Sequence, residues 1–130
     1  RHGLPLIADY CVEVEQISLD ENQPFLTLVN LDDPPTAAVV SDDILAVALK
    51  RVCLQQGLSV PEDLSIVSFN NSLFARITSP QLTSVDINSF QLGIEAASQL
   101  INHIENPNLL ATKIIVPHSL VVRGSCREYR

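Results

Sequence analysis

Residues Ser65 to Ile87 read SIVSFNNSLFARITSPQLTSVDI. The stretch continues an apolar run, Leu64 to Phe69, that stops at two carboxamides, Asn70 and Asn71. Upstream the same event recurs with carboxylates: TAAVV, Thr36 to Val40, runs into Ser41, Asp42 and Asp43. Short apolar strands that end in polar residues and lead into helices are the pattern of a parallel α/β sheet. In such sheets ligands bind outside the carboxyl ends of the strands. The chain therefore presents two strand tips with hydrogen-bonding side chains, a set that suits a neutral polyol or sugar better than catalysis.

Working outward, Ser41 or Asp42 is positioned to cap a helix running to about Gln56. Gly57 stands where a left-handed residue closes a helix, and Leu58 can fold back on it. Ile44, Leu45, Val47, Ala48, Leu49, Val52 and Cys53 make this helix apolar around more than one face, so one face covers the sheet and the surplus needs another partner. Val60-Pro61-Glu62-Asp63 is a turn into the strand Leu64 to Phe69. A short helix, Ser72 to Ile77, follows and ends at Ser79-Pro80. Leu82 to Val85 reads as a third strand. Asn88 or Ser89 then caps a helix from Phe90 to Glu105, with Ala96, Ala97, Leu100, Ile101 and Ile104 on one face. Lys113 to Val116 and Ser119 to Arg123 read as two closing strands. At the start, Asp9 to Ile17 alternates apolar and polar, which suggests an exposed strand or extended segment, and Pro24 opens a short helix.

The 130 residues fit one domain or a piece of a larger one. Their first residue is Arg and they contain no Met, which predicts an excerpt of a longer protein. A net charge of −7 with scattered Lys and Arg argues against DNA contact by this stretch, because phosphate binding needs clustered cations. No apolar run approaches the ~20 residues of a membrane span. Cys11, Cys53 and Cys126 are odd in number and lack metal-ligand spacing, so free thiols in a reducing compartment are expected. His2, His103 and His118 are isolated. Asp32-Asp33 and Asp42-Asp43 are adjacent pairs whose side chains diverge, and no glycine-rich phosphate loop is present. The reading is no catalytic residue, no metal, no cofactor, and not an enzyme.

From Pro35 to Gly124 the chain resembles the LacI/GalR transcription regulators. The landmarks are PTAAVVSDDILAVALKRVCLQQGLSVPEDLSIVSFNNSLFARITSPQLTSV, then QLGIEAASQL, then PHSLVVRGS, with Gly57-x-x-x-Pro61-x-Asp63-x-Ser65 followed by Phe69 as the specific spacing. The resemblance implies a type I periplasmic-binding-protein-like α/β fold, a cytoplasmic location, a sugar effector bound between two subdomains, and homodimers. It also implies operator DNA contacted only through a helix-turn-helix headpiece outside this chain. Residues 1–86 would form the C-terminal effector-binding subdomain, 87–112 the crossover and a helix of the N-terminal subdomain, and 113–130 the returning strands.

Carried over by position, the effector contacts fall on Ser41, Asp42, Phe69, Asn70 and Ile87. Family members commonly show Gly-Phe-Asp-Asp where this chain has Ser68-Phe69-Asn70-Asn71, so a ligand needing an anionic acceptor at Asn70 is in doubt. An aromatic wall often comes from the region equivalent to Gln16-Ile17-Ser18, which holds no aromatic. The dimer surface falls on Ile44, Val47, Arg51, Phe74, Ile77 and Thr78. Ser-Phe-Asn-Asn-Ser, with Thr-Ser-Val-Asp-Ile-Asn following, looks most like the family's maltose-operon repressors.

Each site has a plainer reading beside the functional one: Asp42 as an N-cap, Asn70 as an Asx turn, Phe69 as core. Asp43 is expected to be a solvated acid in the first helical turn. A secreted sugar-binding protein of an ABC-type transporter shares the expected fold and stays an alternative, as does a doubly wound enzyme.

Overall fold

A computed structural model describes residues 7–14 and 23–128. His2 and the Gln16-Ile17-Ser18 region lie outside them. Four strands form one sheet in the order β1-β2-β3-β4: β1 (Ala37–Val39), β2 (Ser65–Phe69), β3 (Thr83–Asp86) and β4 (Ser119–Val121). The first three run parallel and β4 returns antiparallel to β3. Helix α1 (Gln23–Val29) precedes β1, and α2 (Asp43–Gln55), α3 (Leu73–Ile77) and α4 (Ser89–Glu105) occupy the three connections between strands. This is the α/β, mostly parallel architecture expected from the alternation of short apolar runs and capped helices.

The core lies where α2 covers β2, with α1 and α3 flanking α2. Ala46, Leu49, Val52 and Cys53 of α2 meet Val40, Leu64, Ile66 and Leu82, and Phe25 and Val29 of α1 close one side. Both ends of α2 form as their residues dictate. Asp42 is its N-cap, accepting from the Ile44 amide at 2.7 Å. At the other end Gly57 adopts φ +75°. The Leu58 amide reaches back to the Cys53 carbonyl at 2.8 Å and the Gly57 amide to Leu54 at 3.2 Å, a Schellman closure.

The C-terminal segment helps to fix the sheet. Ser125 is fully buried and bridges the lower ends of β2 and β3: its Oγ donates to the Ile66 carbonyl at 2.6 Å and accepts from the Thr83 amide at 2.8 Å. Its carbonyl also accepts from the Ile66 amide at 2.8 Å. On the opposite side β1 is, among the described residues, an edge strand bonded only to β2, with Val39 79% exposed. A cavity of about 510 Å³ runs along that edge between β1, Val12 and Val14, with Leu45 and Leu49 of α2 also lining it.

Three expectations are corrected. Of the two forms expected for Asp9–Ile17, the paired strand is absent where the segment is described: Ala8–Tyr10 is a 3-10 turn, and residues 11–14 join no sheet, with Cys11 extended at φ −97° and ψ 105°. Lys113–Val116 is not a strand, because it runs beside α4, away from the sheet edge that would pair with it. Asn88 occupies the N-cap position of α4 without capping it through its side chain. Its backbone is left-handed, φ 53°, and its amide is held by the Asp86 carboxylate at 2.7 Å.

Helix α4 has no buried residue, and Phe90 is 80% exposed. The face carrying Leu100, Ile101 and Ile104 is exposed too. Among the described residues, only the segment around Thr112–Val116 lies alongside the helix, with Thr112 Oγ1 donating to Gln99 at 3.2 Å.

Gly57 has open space around its missing Cβ, so backbone conformation alone favours glycine there. Gly57→Ala should destabilise the fold by about 1 kcal/mol, read as a lower urea midpoint with an unchanged slope.

Candidate functional site

The tips of β1 and β2 lie side by side because the two strands are parallel neighbours in register, Val39 opposite Val67. Two polar residues follow at each tip. Asp42 is half-buried and Asn70 exposed, and the Asn70 carboxamide donates to Asp42 Oδ2 at 2.7 Å. The Asp42 carboxylate thus serves both roles considered for it. One oxygen caps α2 and the other faces Asn70. What stays available is the Asn70 carbonyl oxygen, its second N–H and spare lone pairs on Asp42. A hydroxyl, which donates and accepts, matches that set.

Asn70 and Asn71 both adopt positive φ, 94° and 47°. Non-glycine residues seldom do so, and Asn tolerates it best because its short side chain bonds locally. Left-handed backbone at two consecutive residues turns the chain sharply off β2. It aims one carboxamide at Asp42 and the other, in the opposite sense, at Asp86 (2.9 Å).

Asp43 overturns its expectation. It is 1% exposed, not solvated. Ser68 and Ser84, opposite one another on β2 and β3, both donate to its Oδ1, at 2.5 and 2.8 Å, and the Ser72 amide donates to Oδ2 at 2.6 Å. Burial pushes the Asp43 carboxyl up, but these hydrogen bonds outweigh it and hold the group below the usual carboxylate range. The Ser72 hydroxyl, also buried, finds no partner among the described residues. The sequence signal for this cluster is a serine within each strand, Ser68 in SIVSF and Ser84 in TSVD.

Of the remaining candidates, Ser41 is exposed and lines the end of the β1-edge cavity. Phe69, the last residue of β2, is half-buried. Ile87 is half-buried on the connection from β3 to α4. That cavity takes in Ser41 but neither Asp42 nor Asn70, so the polar pair forms an open recess, one wall of a site.

The residues expected at a dimer surface cluster on another face. Ile44, Val47 and Arg51 follow helical spacing along α2, while Phe74 and Ile77 stand exposed on α3. Val47, Arg51 and Thr78 line a second cavity, of about 470 Å³. Lys50 sits at its edge, its Nζ donating to Thr78 Oγ1 at 2.7 Å and to the Pro80 carbonyl at 2.5 Å. Burial lowers the Lys50 pKa.

No group of three or more His, Cys, Asp or Glu among the described residues is arranged to hold a metal ion. No helix among them is long and apolar enough to cross a membrane.

Residues 6–126 match the family model described as a periplasmic binding protein-like domain. The arabinose metabolism transcriptional repressor of Geobacillus stearothermophilus is 41% identical over 98 residues, which are 75% of this chain and 27% of that protein. A solved structure of a LacI transcriptional regulator from Bacillus cereus subsp. cytotoxis superposes with a TM-score of 0.80 at 42% identity. It covers 83% of this chain and 38% of that one. A LacI family regulator from Enterococcus faecium with bound ribose gives a TM-score of 0.74 at 27% identity, covering 83% of this chain and 41% of that one. The chain thus spans roughly a quarter to two fifths of these relatives.

Removing the Asp43 carboxylate leaves two buried hydroxyls and an amide without their acceptor. Asp43→Ala should cost about 3–5 kcal/mol, measured by urea unfolding. The folded-state pKa lies below the unfolded value, so Asp43 stabilises the fold above the unfolded pKa, near 3.8. That contribution fades as pH falls through the lower folded value. Unfolding midpoints recorded from pH 6 downward should show this acid-side loss, and Asp43→Asn should flatten it.

Proposed function

Because the chain belongs to the periplasmic-binding-protein-like domain family and matches the effector-binding part of LacI-type regulators, we propose that it senses a sugar for a transcriptional repressor. The observation that carries this reading is the Asp42–Asn70 pair, bonded at 2.7 Å and open to solvent at the tips of two parallel strands. Two hydrogen-bonding groups held at a strand tip grip a hydroxyl without chemistry. Asn70 in place of the common carboxylate keeps the pair compatible at neutral pH, since a second acid there would repel Asp42. Ser41, Phe69 and Ile87 line the approach in this reading.

The resemblance of residues 68–72 to maltose-operon repressors makes maltose and maltodextrins the first ligands to test. A relative with bound ribose and another named for arabinose metabolism add pentoses. The relatives named are regulators, which favours this role over a transporter's sugar-binding protein. In this reading the exposed α4 belongs to a second subdomain that supplies the opposite wall, and operator DNA is read by a headpiece elsewhere in the polypeptide. The ligand acts by differential affinity for two subdomain arrangements, a coupling of about 1–3 kcal/mol.

With one wall, the 130-residue chain should bind sugar weakly, with Kd on the order of millimolar. Amide shift titration with maltose, ribose and arabinose should move signals at Asp42 and Asn70. Asp42→Ala should weaken binding about 10-fold, the loss of a charge-assisted hydrogen bond. Sugar-dependent shifts that avoid both strand tips would remove the reading.

We also propose that Ile44, Val47, Arg51, Phe74, Ile77 and Thr78 form a homodimer surface, supported by the apolar exposure of α3 next to the α2 face. Val47→Asp buries a charge at that contact and should shift sedimentation from dimer to monomer; an unchanged dimer would refute the assignment.

A further inference from the structure

The cavity of about 470 Å³ beside α2 and α3 holds a charge that its own chain leaves unanswered. Lys50 is half-buried at its edge, and its Nζ donates to Thr78 Oγ1 and to the Pro80 carbonyl. Both acceptors are neutral. An ammonium has three N–H donors, so one is left over. Burial alone lowers the Lys50 pKa, and no carboxylate among the described residues offsets it. Arg51, the next residue of α2, lines the same cavity and is exposed. Glu62, on the turn that leads into β2, is the one acid in the cavity lining and is exposed too.

These residues adjoin the proposed homodimer surface, and covering that surface makes the leftover N–H costly. An ammonium that loses its water without gaining an acceptor is strongly destabilising, so whatever covers this face must bring an oxygen to Lys50. A second copy carries one. An isologous contact sets one patch against itself, so a patch bearing both a cation and an acid is complementary to its own rotated copy. The charge balance favours the same partner. Two chains of net charge −7 repel one another, and a close contact between them needs local attraction. Only eight Lys and Arg stand against fifteen Asp and Glu, yet two of those cations line this one cavity. We propose that Lys50 of one copy pairs with Glu62 of the other, twice per dimer, and that this pair selects a second copy of the chain over a partner with no acid at that point. Lys50 is then a specificity-determining residue. Thr78 and Pro80 fix two of its donors and so fix the direction of the third. The pair rests on the homodimer reading of α2 and α3.

The test mixes two variants of the 130-residue chain. Lys50→Met keeps the stem and drops the charge; Glu62→Gln neutralises the acid. Sedimentation equilibrium should show the native chain as a dimer that Val47→Asp dissociates. Each single variant should raise the dimer dissociation constant about 10-fold. The double variant should raise it no further, because its second change removes a partner already lost. The two single variants are then combined in equal amounts and their dimers counted by native mass spectrometry. A mixed dimer regains one complete Lys50–Glu62 pair, whereas neither parent dimer has any. Mixed dimers should therefore reach about three quarters of the total, against about half for random assortment. If Lys50→Met does not fold, Lys50→Gln replaces it, since it is uncharged yet keeps an N–H donor. Random assortment, or single effects that multiply in the double variant, overturns the pair. With the native dimer intact and Val47→Asp monomeric, that result leaves the homodimer surface standing. A native chain that stays monomeric, or a dimer indifferent to Val47→Asp, removes the surface and the pair together.

Discussion

One buried carboxylate organises this molecule. Asp43 begins α2, yet its two oxygens face hydroxyls from β2 and β3 and the amide that starts α3. A charge taken out of water is costly unless hydrogen bonds answer it, and here three donors do so. The result is a single point at which the first turn of the central helix, two strands and a short helix are held in mutual register. Apolar packing between α2 and β2 supplies the larger share of driving force, but it is non-directional. The Asp43 cluster is what makes the placement of the strand tips specific.

That placement is what gives the tips a use. Asp42 and Asn70 meet because their strands are parallel neighbours of nearly equal reach, and because Asp43, one residue on, is pinned beneath them. Left-handed asparagines at 70 and 71 then split the hydrogen-bonding capacity of the β2 tip in two directions. One goes to Asp42 at the recess and one to Asp86 at the end of β3. A carboxylate in place of Asn70 would face Asp42 across 2.7 Å and would need a proton or a cation to stay. The amide avoids this, and it leaves a neutral donor and acceptor for a hydroxyl.

The molecule also carries surface that a closed single domain would cover. Phe90, Leu100, Ile101 and Ile104 on α4, and Val39 on the edge strand, are apolar and exposed. The relatives are more than twice as long as this chain. Partner surface from a second subdomain accounts for the α4 face within the proposed function.

Local chemistry was readable in the residues themselves. Strand β2 and the caps of α2 follow from an apolar run, an acid at the N-cap, and a glycine free to adopt φ +75°. So does the prominence of Asp42 and Asn70, since polar residues ending apolar strands mark a tip whatever surrounds them. The expectations that failed were of another kind. Asp43 looked like any first-turn acid, and its burial depends on serines 25 and 41 residues away. Lys113–Val116 has the composition of a strand but no free sheet edge beside it. The Asn71–Arg123 contact spans 52 residues. Sequence alone determined which segments would be strands and helices around the core and which side chains would stand at their ends, because backbone hydrogen bonding and capping act within a few residues. Only the tertiary structure decided which of those ends would face one another, because strand order and register bring distant residues within hydrogen-bonding reach and no local pattern encodes that distance.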